Sequence, residues 1–240
     1  MKTVAIIPAG GSGKRMNEKL SKQYLLLDGI PVLVHTLKKF QESQKVDEIF
    51  LIVPGDDIMF IRECIIEKYG ISKVSRILAG GKERQDSVRN GIHALEKDHD
   101  IIVIHDAVRP FITEEMLLSV IHEASLVHAV TVGVPVKDTI KSVNDNGWIA
   151  ETLNRNNLWL TQTPQAFKRD VIIRAHEEAD KDNYYSTDDA SLVERTGIAV
   201  KIIRGSYDNI KITTKDDILL AEVLINKYKS ECKAADSGIL

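Results

Sequence analysis

Ile6-Ile7-Pro8-Ala9-Gly10-Gly11-Ser12-Gly13-Lys14-Arg15-Met16, with Lys22-Gln23 shortly after, is the stretch that decides how this chain is read. The apolar run from Val4 to Ile7 has the composition of a buried strand, and it empties into a loop with three glycines in four positions. Glycines let backbone N–H groups turn inward and approach a ligand closely, which is how a chain cradles phosphate oxygens. Lys14, Arg15 and Lys22 then add positive charge, so the loop suits a polyphosphate. The competing reading is a glycine-rich turn that only joins strand to helix.

Two better-known phosphate motifs do not fit. A Walker A loop needs four residues between its glycines and Ser or Thr after Gly-Lys; here two residues separate Gly10 from Gly13, and Arg15 follows Lys14. The dinucleotide fingerprint would start at Gly11 and Gly13, but its third glycine position holds Met16. The second strand also ends in Val53-Pro54-Gly55 where a ribose-binding acid is expected.

The chain has 240 residues, 43% of them hydrophobic and 28% charged, which suits one large globular domain over residues 1–240. A formal net charge of −3 argues against a general nucleic-acid or anionic-membrane surface, so an anion site must come from locally placed cations. Cys64 and Cys232 fit no metal spacing; Cys64 reads as a core residue of a helix, and the pair suggests a reducing compartment. With no signal-peptide pattern and no apolar run near the roughly 20 residues that span a bilayer, a cytoplasmic protein is expected.

Strand and helix signals alternate along the chain. Helical spacing of Leu33, Leu37 and Phe40 follows Pro31; a strand is predicted at 48–53, a helix at 57–69 stopped by Gly70, a strand at 74–79, and a helix at 84–95. Ile101-Ile102-Val103-Ile104 reads as a strand covered on both faces, and its end carries His105-Asp106. Thr113 caps the next helix, and 129–134 is a further strand. Between Val136 and Leu160 the rhythm breaks: two alternating segments flank Asn144-Asp145-Asn146-Gly147, predicting a β-hairpin arm over 136–160, whose Trp148 and Trp159 favour a buried contact. Helices at 169–179 and about 188–195, the latter opened by Ser186, a strand at 200–203, a helix at 215–229 and a frayed tail from Cys232 complete the reading.

This alternation predicts an open, doubly wound, mostly parallel Rossmann-like α/β sheet, with ligands outside the carboxyl ends of its strands. The polar residues at strand ends therefore belong together: the glycine loop, Gly80-Gly81 with Arg84 and Ser87, and Asp106 with Arg109. Asp106, one residue past four aliphatics, can bind Mg²⁺ or a ribose hydroxyl; its ordinary alternative is a loop-tightening Asp. His105 reads as a packed structural residue without a chemical role.

Seven segments in order now carry a resemblance: 8–16, Lys22-Gln23, 80–88, His105-Asp106-Ala107-Val108-Arg109-Pro110, Gln162-Thr163-Pro164-Gln165, Thr187-Asp188-Asp189-Ala190-Ser191 and Asp208-Asn209-Ile210-Lys211. Together they resemble the 2-C-methyl-D-erythritol 4-phosphate cytidylyltransferase family nearly end to end. The departures are Gly10 where the family commonly has Ala, Ser21 where Pro is usual, and Val108 for a frequent Ala; none removes a charge.

The resemblance implies a nucleotidyltransferase sheet and transfer of CMP from CTP to methylerythritol phosphate, with release of pyrophosphate. By the resemblance, Arg15, Lys22 and Lys211 act on the reacting phosphates. Ala9, Gly10, Gly81 and Ser87 read cytosine, with Gly11 and Gly13 in the nucleotide loop, and Asp106 lies beside ribose, substrate and Mg²⁺. Arg109, Thr163, Thr187 and Lys211 grip methylerythritol phosphate, together with Thr139 and Arg155 from the other subunit of a homodimer joined through the arm. For Thr187 a helix-capping role is compatible with this. The alternatives are a ribitol 5-phosphate cytidylyltransferase, which shares the glycine loop, and a non-catalytic nucleotide-sensing domain of the same fold.

Overall fold

A computed structural model describes residues 1–10 and 22–236, and of residues 22 and 232–236 the backbone alone. In chain order the elements begin with β1 (Lys2–Pro8), a small antiparallel pair β2 (Leu26–Leu27) and β3 (Ile30–Pro31), and α1 (Val32–Glu42). They continue with β4 (Glu48–Val53), α2 (Ile58–Ile61), β5 (Val74–Ala79), α3 (Arg84–His93), β6 (His99–Ile104), α4 (Glu114–Val127) and β7 (Ala129–Pro135). The hairpin strands β8 (Lys141–Val143) and β9 (Ile149–Thr152) follow, then β10 (Trp159–Lys168), α5 (Arg169–Lys181), α6 (Asp189–Arg195), β11 (Lys201–Arg204) and α7 (Lys215–Asp236).

Seven strands form one sheet in the order β11-β7-β10-β6-β1-β4-β5. All its pairings are parallel except the two made by β10. The uninterrupted apolar runs explain why: alternate residues of each central strand are claimed by opposite helical layers. Ala5, Ile7, Leu51 and Val103 face the layer of α1 and α4, whereas Val4, Ile6, Ile52 and Ile104 face α3, α5 and α6. From β1 the chain goes to β4 and β5 on one side, then returns to lay β6 along the other. The carboxyl ends of β1 and β6 thus border the topological switch point, where open sheets of this kind bind ligands.

Five details differ from the sequence reading. Residues 159–168 form a ten-residue strand, β10, that the polar Gln162 and the ring of Pro164 concealed; its pairing with β7 shifts register between Gln162 and Gln165. Cys64 is exposed rather than in the core: after α2 the helix continues as a π-helix at Arg62–Glu67, which turns Ile61 and Ile65 inward and Cys64 outward. The cap of α6 is Asp188, whose side chain accepts from the Ser191 N–H, and neither Ser186 nor Thr187. Helix α7 extends through residue 236 instead of fraying from residue 232. The hairpin is present, but its tryptophans are not buried within the chain: Trp148 is 74% exposed and Trp159 36%. Among the described residues no helix is long and apolar enough to cross a membrane.

Candidate active site

The residue after β6 is the centre of the crevice. Asp106 is buried, yet three cations from different parts of the chain converge on it. Arg84, at the start of α3, places Nε 3.1 Å from Oδ1; Lys211, between β11 and α7, places Nζ 2.8 Å from Oδ2; Arg109 contributes a looser contact, Nε to Oδ2 at 3.5 Å. Burial alone would push this carboxyl up, but the field of Arg84, then of Lys211 and Arg109, holds it well below the usual carboxylate range. It is therefore ionised wherever the protein is folded near neutral pH.

The turn that carries Asp106 is tied down by uncharged groups. The imidazole of His105 is fully buried against Phe40, and burial pushes it down to about 4, so the ring is neutral. Nε2 lies 3.0 Å from the Arg109 carbonyl, which can only accept, so Nε2 carries the proton and Nδ1 is the acceptor. The Thr163 hydroxyl, 3.1 Å from Nδ1, donates there and accepts the Asp106 N–H at 3.0 Å. Thr163 thus acts chiefly on the Asp106 turn, and His105 is structural, as its sequence context suggests. Asn209 joins the Lys211 segment to this turn: its side chain donates to the Thr163 carbonyl at 2.9 Å, and its own carbonyl accepts from Arg109 Nη1 at 2.8 Å.

Two cavities meet at the cluster. One, of about 350 Å³, is lined by Ala9, Gly10, Gly81 and Ser87; the other, of about 560 Å³, by Arg109, Thr163, Thr187 and Asp188. Arg84, Asp106 and Lys211 line both and form their common wall. On the glycine side Gln23 donates to the Ala9 carbonyl at 2.7 Å, and the Ser87 hydroxyl accepts the Gly81 N–H at 3.1 Å. A methyl group at Gly81 would lie 2.2 Å from the Asp86 Cβ, so the close approach of this loop to α3 requires glycine. At Gly10 a methyl would meet Ser87 Oγ at an ordinary 3.7 Å, which is why alanine is compatible there.

Of the residues singled out from sequence, Ala9, Gly10, Gly81, Ser87, Asp106, Arg109, Thr163, Thr187 and Lys211 are brought together around these cavities. Gly11, Gly13, Arg15 and the side chain of Lys22 lie outside the described residues. Thr139 and Arg155 line neither cavity of their own chain; Arg155 Nη1 donates to the Lys137 carbonyl at 2.8 Å beside the hairpin. Sequence reasoning grouped Arg84 with the strand ends but gave it no role, and missed Gln165. This buried amide spans β10 and α6, donating to Asp188 Oδ2 at 2.7 Å and accepting the Ala190 N–H at 3.1 Å. Its signal was present in the Gln162-Thr163-Pro164-Gln165 segment.

A switch-point crevice with Ala9, Gly10 and Gly81 on one side, a second polar cavity on the other and a carboxylate ringed by cations between them fits a nucleotidyltransferase. The model of the 2-C-methyl-D-erythritol 4-phosphate cytidylyltransferase family matches residues 3–227. A protein of that name from Syntrophus aciditrophicus is 52% identical, covering 94% of this chain and 97% of its own, and one from Geobacter metallireducens is 50% identical over 95% and 99%. The crystal structure of the 4-diphosphocytidyl-2C-methyl-D-erythritol synthase of Anaerococcus prevotii is similar with a TM-score of 0.83 at 35% identity, covering 94% of this chain and 96% of that one. The chain belongs to the 2-C-methyl-D-erythritol 4-phosphate cytidylyltransferase family.

The neutral burial of His105 has a measurable pH signature. Its folded pKa of about 4 lies below the ordinary 6.5, so between these values the unfolded chain binds the extra proton and stability falls as pH falls. The loss reaches about 3 kcal/mol by pH 4. Urea unfolding from pH 7 to pH 4 should give a shallower slope in His105→Gln than in the wild type; equal slopes would contradict the neutral assignment.

Proposed function

We propose that this chain transfers the CMP unit of CTP to the phosphate of 2-C-methyl-D-erythritol 4-phosphate, forming 4-diphosphocytidyl-2-C-methyl-D-erythritol and pyrophosphate for isoprenoid synthesis. The observation that carries the reading is the pair of cavities joined at Asp106, Arg84 and Lys211. Two substrates that must react phosphate to phosphate need adjoining pockets and cations at the seam. A phosphate oxygen of the acceptor bonds to the α-phosphorus of CTP while the bond to the bridging oxygen breaks and pyrophosphate leaves. The nucleophile is already ionised, so positioning and charge neutralisation dominate over proton transfer.

On this reading Ala9, Gly10, Gly81 and Ser87 surround cytosine. The N–H groups of Ala9 and Gly81 are already engaged, with the Ile52 carbonyl and the Ser87 hydroxyl, so the carbonyl oxygens read the base, that of Ala9 with the lone pair its bond from Gln23 leaves open. Acceptors suit the exocyclic amine of cytosine and oppose the carbonyl of uracil at the same edge. Gly11, Gly13, Arg15 and Lys22 hold the triphosphate, Lys211 bridges the reacting groups, Arg109 and Thr187 serve the acceptor phosphate, and Thr163 serves it by holding the Asp106 turn. Among the described residues no cluster of three metal-ligating side chains exists, which does not suit a resident metal. The single carboxylate of Asp106 fits a Mg²⁺ carried in on the triphosphate, with the phosphates as its other ligands. When bound, that ion would neutralise charge on the reacting phosphates.

We read the chain as one domain whose arm, 136–160, reaches a second copy. Every residue of β9 is exposed, and Val143, Trp148, Ile149 and Leu160 give the arm an apolar surface left uncovered by its own chain. A two-fold contact there would bring Thr139 and Arg155 to the partner's acceptor pocket. Both substrates are charged phosphates, so we place the enzyme in the cytoplasm, where such metabolites are held.

Pyrophosphate release with CTP and methylerythritol phosphate tests the activity. Turnover is expected with this pair, with UTP at least about 10²-fold poorer in kcat/KM because the acceptors then face a carbonyl. Comparable values for CTP and UTP would overturn the base assignment, and turnover with ribitol 5-phosphate alone would overturn the acceptor. For the arm, inactive Arg155→Ala and inactive Lys22→Ala proteins are mixed under verified subunit exchange. About half the dimers are then mixed, each with one intact site, and roughly a quarter of wild-type activity returns. No recovery means that Arg155 acts within its own chain or that the arm does not cross.

A further inference from the structure

Behind the Asp106 cluster lies a chain of charged and polar groups that reaches His176, which lines neither cavity. Arg84 divides its guanidinium between two carboxylates: Nε meets Asp106 at 3.1 Å, and Nη1 meets Asp189 Oδ2 at 2.7 Å. The other oxygen of Asp189, Oδ1, lies 3.1 Å from Nε2 of His176 on α5. Asp189 and His176 are each 1% exposed. The Asp189 carboxyl is held low against its burial by Arg84 first and His176 after it, so it is ionised and can only accept. Nε2 of His176 must therefore carry the donated proton. Among the described residues Nδ1 of His176 has no hydrogen-bond partner.

We propose that Asp189 and His176 are positioning residues for the cytidylyl transfer: His176 orients Asp189, Asp189 fixes Arg84, and Arg84 so fixed holds Asp106 at the seam between the two cavities. The order of charges supports this. An arginine beside Asp106 alone could swing about its own side-chain bonds; a second carboxylate on a different nitrogen removes that freedom. The second carboxylate has an anchor of its own, because Gln165 ties the start of α6 to β10. His176 is the last member, a buried donor on α5. Among the described residues its hydrogen-bond partner is Asp189, through which it reaches Arg84. The proposal rests on the cytidylyl-transfer reading.

The test compares His176→Leu with His176→Gln, whose amide N–H can replace the Nε2 donor, and adds Asp189→Asn. CTP-binding sites are counted by calorimetry, and pyrophosphate release with CTP and methylerythritol phosphate is expressed per intact site. His176→Leu should lose about 10-fold or more in kcat/KM per site, the loss typical of removing an orienting partner, and His176→Gln should recover most of it. Asp189→Asn should lose at least as much as His176→Leu. A merely structural role would lower the number of intact sites and leave the rate per site alone. Equal loss in Leu and Gln variants, or a wild-type rate per site in His176→Leu, overturns the proposal. Absent turnover by the wild-type protein counts instead against the substrate assignment, and a Leu variant whose CTP affinity then matches the wild type overturns the positioning role as well.

Discussion

The Asp106 carboxylate, buried at the end of β6 and ionised, is the constraint around which the crevice is built. A carboxylate in that place is tolerable only if cations meet it, and Arg84, Lys211 and Arg109 come from three separate segments to do so. Removing one partner from a fully buried pair costs about 3–5 kcal/mol, because the remaining charge is left uncompensated. The cost is smaller here, since the side chains of Arg84 and Lys211 are 28% and 38% exposed. That partial exposure has a use. A cation that keeps one side toward a cavity can meet an anion there while it stays paired with Asp106.

The fold serves this arrangement through its topology. The sheet reverses direction of winding at β1 and β6, so Ala9 and Gly10 after β1 and the Asp106 turn after β6 border one crevice. The antiparallel β10 then brings Thr163 beside Asp106 and Gln165 under α6, and the segment 208–211 is drawn in by Asn209. Each contributor is short-range in its own segment; only the sheet order makes them neighbours.

Much of this was legible in the residues. The runs Val4 to Ile7 and Ile101 to Ile104 announced buried parallel strands, and the ends of those runs marked the site. Thr113 was readable as a cap and is one, accepting from the Met116 N–H at 3.2 Å. What escaped had physical causes. β10 carries polar side chains because it lines a cavity, so function erased the alternation that would have identified it. Cys64 was misplaced because a π-helix changes the angular step that helical spacing assumes. His176 offered no signal at all, since its partner is 13 residues away on another helix and meets it only after packing.

One ionised carboxylate organises the cations between the two cavities. Asp106→Asn preserves shape and removes the charge, so steady-state pyrophosphate release by the folded variant with CTP and methylerythritol phosphate measures its contribution directly. The account predicts a kcat/KM lower by about 10³-fold or more. A folded Asp106→Asn protein within about threefold of the wild type would contradict it.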